Sequence, residues 1–136
     1  MANLATVAIL EDGPGDAVIK LDYTIDTANL SEQIVADPAT LMIDQGYSVK
    51  PNQLFIKKLK YSIQEPGALV LQWKATQNLI AWTCIQSEEM NFMNAAPIKN
   101  NTVGNPGSNG QLVATTTGWV SGTLVGSVLI YLGKGN

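Results

Sequence analysis

From Ala17 to Ile25 every odd position is apolar: Ala17, Ile19, Leu21, Tyr23 and Ile25, with Lys20, Asp22 and Thr24 between the later ones. A repeat of two puts the apolar side chains on one face of an extended chain, the pattern of a half-buried antiparallel strand. The repeat recurs along the chain. In Gln53 to Ile63, Phe55, Leu59, Tyr61 and Ile63 read as one face, and Lys58, Lys60 and Ser62 as the other. Leu69, Leu71 and Trp73 alternate with Val70, Gln72 and Lys74, and Leu124, Val128, Ile130 and Leu132 share a face. Asn78 to Ile85 is apolar at both parities. It predicts a central strand covered on both sides, or one covered on one side by a partner subunit. With Val7 to Leu10 and Gln111 to Thr117 the count reaches about eight strands. Short strands separated by turn residues predict an all-β fold: an antiparallel β-sandwich, jelly-roll-like, as a single domain over 1–136.

Turn chemistry supports this division. Asp12-Gly13-Pro14-Gly15-Asp16 separates the first two strands, and Glu65-Pro66-Gly67 predicts a short hairpin. Two long loops are expected, near 27–50 and 87–109. The first could hold a helical turn at Ser31 to Val35 or Pro38 to Ile43. The second runs from Met90, Phe92 and Met93 through Ile98, Asn100 and Asn101 to a Gly/Asn-rich stretch around Asn105. A loop of that length in a small β domain is usually functional. Its backbone and amide groups can hydrogen-bond to another surface, and the apolar residues beside it fit the centre of a protein interface.

Composition narrows the chemistry. All eight basic residues are lysine, histidine is absent, and the net charge is −3. There is no imidazole for a nucleophile–base pair, proton shuttle or metal site, and no arginine fork for phosphate. An acidic, arginine-free chain is a poor match for nucleic acid. Cys84, the one cysteine, lies in an apolar stretch and reads as a small buried hydrophobe. No basic n-region precedes Glu11, so a signal peptide is not expected, and the apolar run Leu124 to Leu132 is too short to span a membrane. The GxxxG spacing of Gly118, Gly122 and Gly126 sits among β-formers and reads as coincidence.

The remaining constellations are weak. Glu11, Asp12 and Asp16 lack calcium-loop spacing. Glu88 and Glu89, adjacent on a strand, would point to opposite sides and cannot act as paired carboxylates. Asn29-Leu30-Ser31 and Asn100-Asn101-Thr102 match the glycosylation pattern by chance. Trp73 reads as core, while Trp82 and Trp119 fit core or an interface. Lys57, Lys58 and Lys60 read as a solvated strand face, with lysines guarding an open edge; the alternative is docking onto an acidic protein surface. No catalytic residue, metal or cofactor is expected, and the chain does not read as an enzyme.

Several stretches resemble a family of tailed-phage, podovirus-like virion proteins. They are Leu10 to Leu21 with Asp37-Pro38-Ala39-Thr40-Leu41; Leu71-Gln72-Trp73-Lys74-Ala75-Thr76 with Ile80-Ala81-Trp82; and Ile98-Lys99-Asn100-Asn101 with Thr117-Gly118-Trp119. The family's charged residues after the second tryptophan are replaced here by Thr83-Cys84-Ile85-Gln86. The resemblance implies a small β-sandwich decoration, or cement, protein on the virion capsid surface, assembled in the host cytoplasm. Such a protein binds the outer surface of the major capsid protein shell and stabilises the head by bridging capsomers. The interface candidates are Trp82, Met90, Phe92, Met93, Ile98, Asn100, Asn101, Asn105 and Trp119. The partners expected are the major capsid protein and further copies of the chain, as a trimer rather than a dimer, with no nucleic acid and no membrane. The rival readings are a tail-associated or receptor- and glycan-binding virion module, a carboxylate-metal enzyme, and a head–tail joint protein.

Overall fold

The structure is a computed structural model that describes residues 3–12, 16–37, 53–92, 98–99, 106–108 and 110–135. Ten strands are present among the described residues. They are β1 (Leu4–Asp12), β2 (Asp16–Ile25), β3 (Gln33–Ala36), β4 (Gln53–Ile63), β5 (Ala68–Trp73), β6 (Leu79–Cys84), β7 (Ser87–Asn91), β8 (Ile98–Lys99), β9 (Leu112–Thr117) and β10 (Leu124–Gly135). Sheet A runs β1-β2-β10-β4-β7, with β8 also on β4, and sheet B runs β3-β9-β5-β6. Every pairing is antiparallel.

The pairings are nested. β2 pairs with β10, β3 with β9, β4 with β7 and β5 with β6. One long antiparallel ribbon is thus folded over so that successive pairs alternate between the sheets. That is the jelly-roll arrangement. β1 lies outside it, added to the free side of β2.

The core is the apolar parity of these strands. Ile19, Leu21, Tyr23 and Ile25 of β2 meet Leu124, Val128, Ile130 and Leu132 of β10, all buried. Leu69, Leu71 and Trp73 face them from sheet B with Leu112, Ala114 and Cys84. Trp73 is 1% exposed, so it is core as the alternation predicts.

Several expectations are corrected. Ser31 to Val35 forms no helix: Gln33–Ala36 is strand β3, held by β9. Pro38 to Ile43 lies outside the described residues. The span 87–109 is not one loop, since it contains β7 and β8. Glu65-Pro66-Gly67 is not a hairpin. It carries the chain from β4 in sheet A to β5 in sheet B, closed by Gly67 N–H donating to the Gln64 carbonyl at 3.0 Å. Phe55 does not share a face with Leu59: the ladder skips Lys57 between the pairs Tyr131–Lys58 and Leu132–Ile56. One extra residue flips the parity, so Leu54 and Ile56 are the buried positions and the Phe55 ring covers Gly133 on the outer face. The lysines around this bulge guard no edge, because β4 lies between β10 and β7. β6, read as central, is an edge strand.

Candidate protein interface

Four of the predicted interface residues lie along one side of the sandwich. β6 and β7 follow each other in the chain but belong to opposite sheets, so they flank one open side of the sandwich. Trp82 of β6 and Phe92 just beyond β7 meet edge to face, their ring centroids 5.3 Å apart at 69°. The Trp82 indole N–H donates to the Tyr61 hydroxyl at 3.3 Å, and that hydroxyl donates to Glu88 Oε2 at 3.2 Å. Burial, opposed by the indole hydrogen bond, raises the Tyr61 hydroxyl above its ordinary pKa. Met90 lies opposite Leu59 on the inner parity, and Ile98 lies opposite Ile56. All four candidates, Trp82, Met90, Phe92 and Ile98, are half-buried against the core. They close the side of the sandwich rather than form an open patch.

Trp119 is elsewhere, in the connection between β9 and β10. Its backbone N–H donates to Asn29 Oδ1 at 3.2 Å and its indole N–H to the Gly122 carbonyl at 2.9 Å. The same Asn29 oxygen accepts from Thr116 Oγ1. Met93, Asn100, Asn101 and Asn105 lie outside the described residues.

The feature that sequence reading missed is the distribution of charge between the sheets. No residue in β3, β5, β6 or β9 is charged. On the outer face of sheet B, Ile34, Val113, Gln72 and Ile80 form one cross-strand row, and Thr115, Val70 and Thr83 form the next. Ile34 and Ile80, at the two edges of the sheet, are 47% and 61% exposed, whereas Val113 within the row is 1% exposed. Lys74 and Glu32 form an ion pair at 2.8 Å just beyond the ends of β5 and β3, whereas sheet A carries ions within its strands. Its outer face holds Lys20 with Asp22 at 3.7 Å, Lys58 with Glu89 at 3.0 Å, and Lys57 with Asp16. Hydrogen bonding to Lys58 lowers the Glu89 carboxyl pKa, and the same contact raises that of Lys58. A depression of about 320 Å³ bordered by Glu11, Asp16, Lys57, Lys58 and Tyr131 lies on this charged face.

The acidic turn does not gather into a cation site. Glu11 pairs with Val18 and Asp12 with Ala17, so the two carboxylates alternate in parity, and Asp16 is taken by Lys57. Among the described residues, no three of His, Cys, Asp and Glu stand close enough to hold a metal ion. A second depression of about 380 Å³ is bordered by Ala75, Thr76, Gln77, Leu79 and Pro106, none of them ionisable. Burial pushes the Cys84 thiol up to about 12, which suits an inert core residue and not a nucleophile.

The fold defines the class as a jelly-roll β-sandwich, an architecture that hosts many unrelated functions. Comparison with protein-family models, with curated proteins and with solved structures gives no match.

Proposed function

We propose that this protein is a phage capsid decoration, or cement, protein. It seats sheet B on the outer surface of the major capsid protein shell and stabilises the head by bridging capsomers. One observation carries the reading: the four strands of sheet B are free of charge, the Lys74–Glu32 ion pair standing just beyond the ends of β5 and β3, while sheet A carries ion pairs along the outer face of its strands. The centres of protein interfaces are depleted in charge, because an ion stripped of water must be repaired in place. Threonine and glutamine on sheet B can exchange water for a partner's backbone groups at small cost. A protein that binds the assembled shell and not its free subunits stabilises the shell by mass action. The jelly roll and the resemblance noted above support the same class. A glycan-binding tail module needs open aromatic faces, whereas Trp82 packs on Phe92 and gives its N–H to Tyr61.

The test is occupancy on purified phage heads, measured by co-sedimentation. Gln72→Lys and Thr83→Lys place a cation on the outer face of sheet B without touching the core. Each should lower occupancy at least about tenfold, while Thr24→Lys on sheet A should leave it unchanged. Full occupancy with both sheet B variants would refute the assignment of the face. Absence of the wild-type protein from heads would refute the function.

A further inference from the structure

The sandwich has four sheet edges among the described residues, and in three of them a device that discourages pairing affects the body of the strand. β3 is four residues long with a bulge at Val35. β6 has a bulge at Ala81. β7 carries Glu88 and Glu89. Short strands, bulges and charges are the usual means of blunting an edge. β1 is different. Its bulge, at Leu10, and its charges, Glu11 and Asp12, are confined to one end, so that the ladder to β2 is regular and uncharged from Leu4 to Ile9. Leu4 is 63% and Leu10 55% exposed. Among the described residues, β1 is paired on one side only.

We infer that two copies of this chain associate through β1, antiparallel and related by a two-fold axis at Val7, so that sheet A continues from one copy into the next. The occupant follows from the strand itself. Ala5, Val7 and Ile9 share the inner parity, opposite Tyr23, Leu21 and Ile19 of β2, and Leu4, Thr6 and Ala8 share the outer. An added strand must match inner to inner, because a slip of one residue turns every side chain to the wrong face. Centring the axis on Val7 sets Val7 against Val7, Thr6 against Ala8 and Ala5 against Ile9. It keeps Ala5 to Ile9 of both copies within the regular, uncharged part of the ladder. Moving the centre to Ala8 would press Glu11 against the partner's Ala5, and moving it to Thr6 would leave Ile9 and Leu10 beyond the regular run of the partner's strand. Charge sets the direction as well: a parallel pair stacks Glu11 and Asp12 on their counterparts, whereas the antiparallel pair holds them at opposite ends, about 25 Å apart.

The contact is independent of shell binding and uses a different surface. It makes two-fold pairs, in contrast to the trimer expected from the sequence. A strand edge about 20 Å long is a small interface beside the roughly 800 Å² per partner of stable complexes. The pair should therefore form reversibly, with a dissociation constant of about 10 μM to 1 mM, and tighten when copies are held close together.

The purified protein should show a concentration-dependent monomer–dimer equilibrium by sedimentation up to about 1 mM. Thr6→Lys, on the outer parity and away from the core, should weaken it at least about tenfold with an unchanged circular dichroism spectrum. The register is read by cross-linking. Directly opposed residues lie about 4.5–5.5 Å apart at Cα, within disulfide reach. Thr6→Cys mixed with Ala8→Cys should give a covalent dimer on mild oxidation, and Thr6→Cys alone should not; Cys84 is buried and does not compete. A protein that stays monomeric at all these concentrations overturns the inference. So does a dimer that Thr6→Lys leaves intact, or cross-linking of Thr6→Cys alone as fast as of the mixture.

Discussion

Gly126 offers a sharp test of how the core is closed. It lies on β10 opposite Tyr23 of β2, and a Cβ built there would collide with the Cε2, Cζ and hydroxyl oxygen of Tyr23. Tyr23 is 4% exposed, so its ring has no room to leave. Overpacking a core position costs about 1–3 kcal/mol. Replacing glycine by alanine in a strand recovers about 0.5–1 kcal/mol. Gly126→Ala should therefore destabilise by about 1–2 kcal/mol, a fall in Tm of about 3–8 °C for a chain of this size. Urea titration monitored by tryptophan fluorescence measures it. Tyr23→Leu removes all three colliding atoms, so in that background Gly126→Ala should be neutral or stabilising, a coupling of at least about 1 kcal/mol. Gly133 provides the contrast. Its neighbour is the Phe55 ring, which is only half-buried on the outer face and can swing toward solvent. Gly133→Ala should cost under about 1 kcal/mol. An equal cost of Gly126→Ala with Tyr23 and with Leu at position 23 would refute the reasoning.

Alkali should unfold this protein through its core. Burial pushes the Cys84 thiol and the Tyr23 hydroxyl each up to about 12, so the folded chain holds protons that the unfolded chain releases from about pH 9 and pH 10. Stability should fall as pH rises through this window, by about 1.4 kcal/mol per unit for each group, and Cys84→Ala should flatten the slope between about pH 9 and 10. Salt should separate the two faces in shell binding: docking through sheet B should change little between about 0.05 and 0.5 M salt, whereas docking through the ion pairs of sheet A should weaken strongly.

The strands legible in the sequence are those with one face in the core and one in water. β2, β5 and β10 show an alternation that survives intact in the structure. β4 was half legible. Its parity changes at Lys57, and the only local sign is a pair of adjacent lysines where the alternation requires one. β7 was illegible because its inner positions are Glu88 and Met90, and an edge strand lying over the rim of the core tolerates a carboxylate that hydrogen-bonds Tyr61. β6 was misplaced for a physical reason: an outward-facing isoleucine, Ile80, looks the same in sequence whether a second sheet or open space lies above it. Local composition pointed to Met90 and Phe92, which close the core. The charge-free face is assembled from segments as far apart as residues 33 and 117, and none of the four is unusual alone.

The nested pairing explains why that face exists at all. Folding the ribbon over sends β2, β4, β7 and β10 to one sheet and β3, β5, β6 and β9 to the other. A bias that is only strand-by-strand in the sequence thus becomes a bias between two sides of the molecule. The sides then differ in what contact demands. Covering sheet A would strip water from lysines and carboxylates, and each ion that lost its partner in the process would be left costly and unpaired. Sheet B presents threonine hydroxyls and the Gln72 amide among aliphatic side chains. Thr115 already shows their adaptability, donating to Gln72 Oε1 at 3.2 Å while accepting from the Glu32 backbone N–H at 3.1 Å. Neutral groups of this kind lose about 1–3 kcal/mol each if buried unmatched and recover it when a partner supplies a carbonyl or an N–H. A sheet of them discriminates by the pattern of a partner's hydrogen-bonding groups rather than by its charge, and an ordered protein shell repeats one such pattern across its surface.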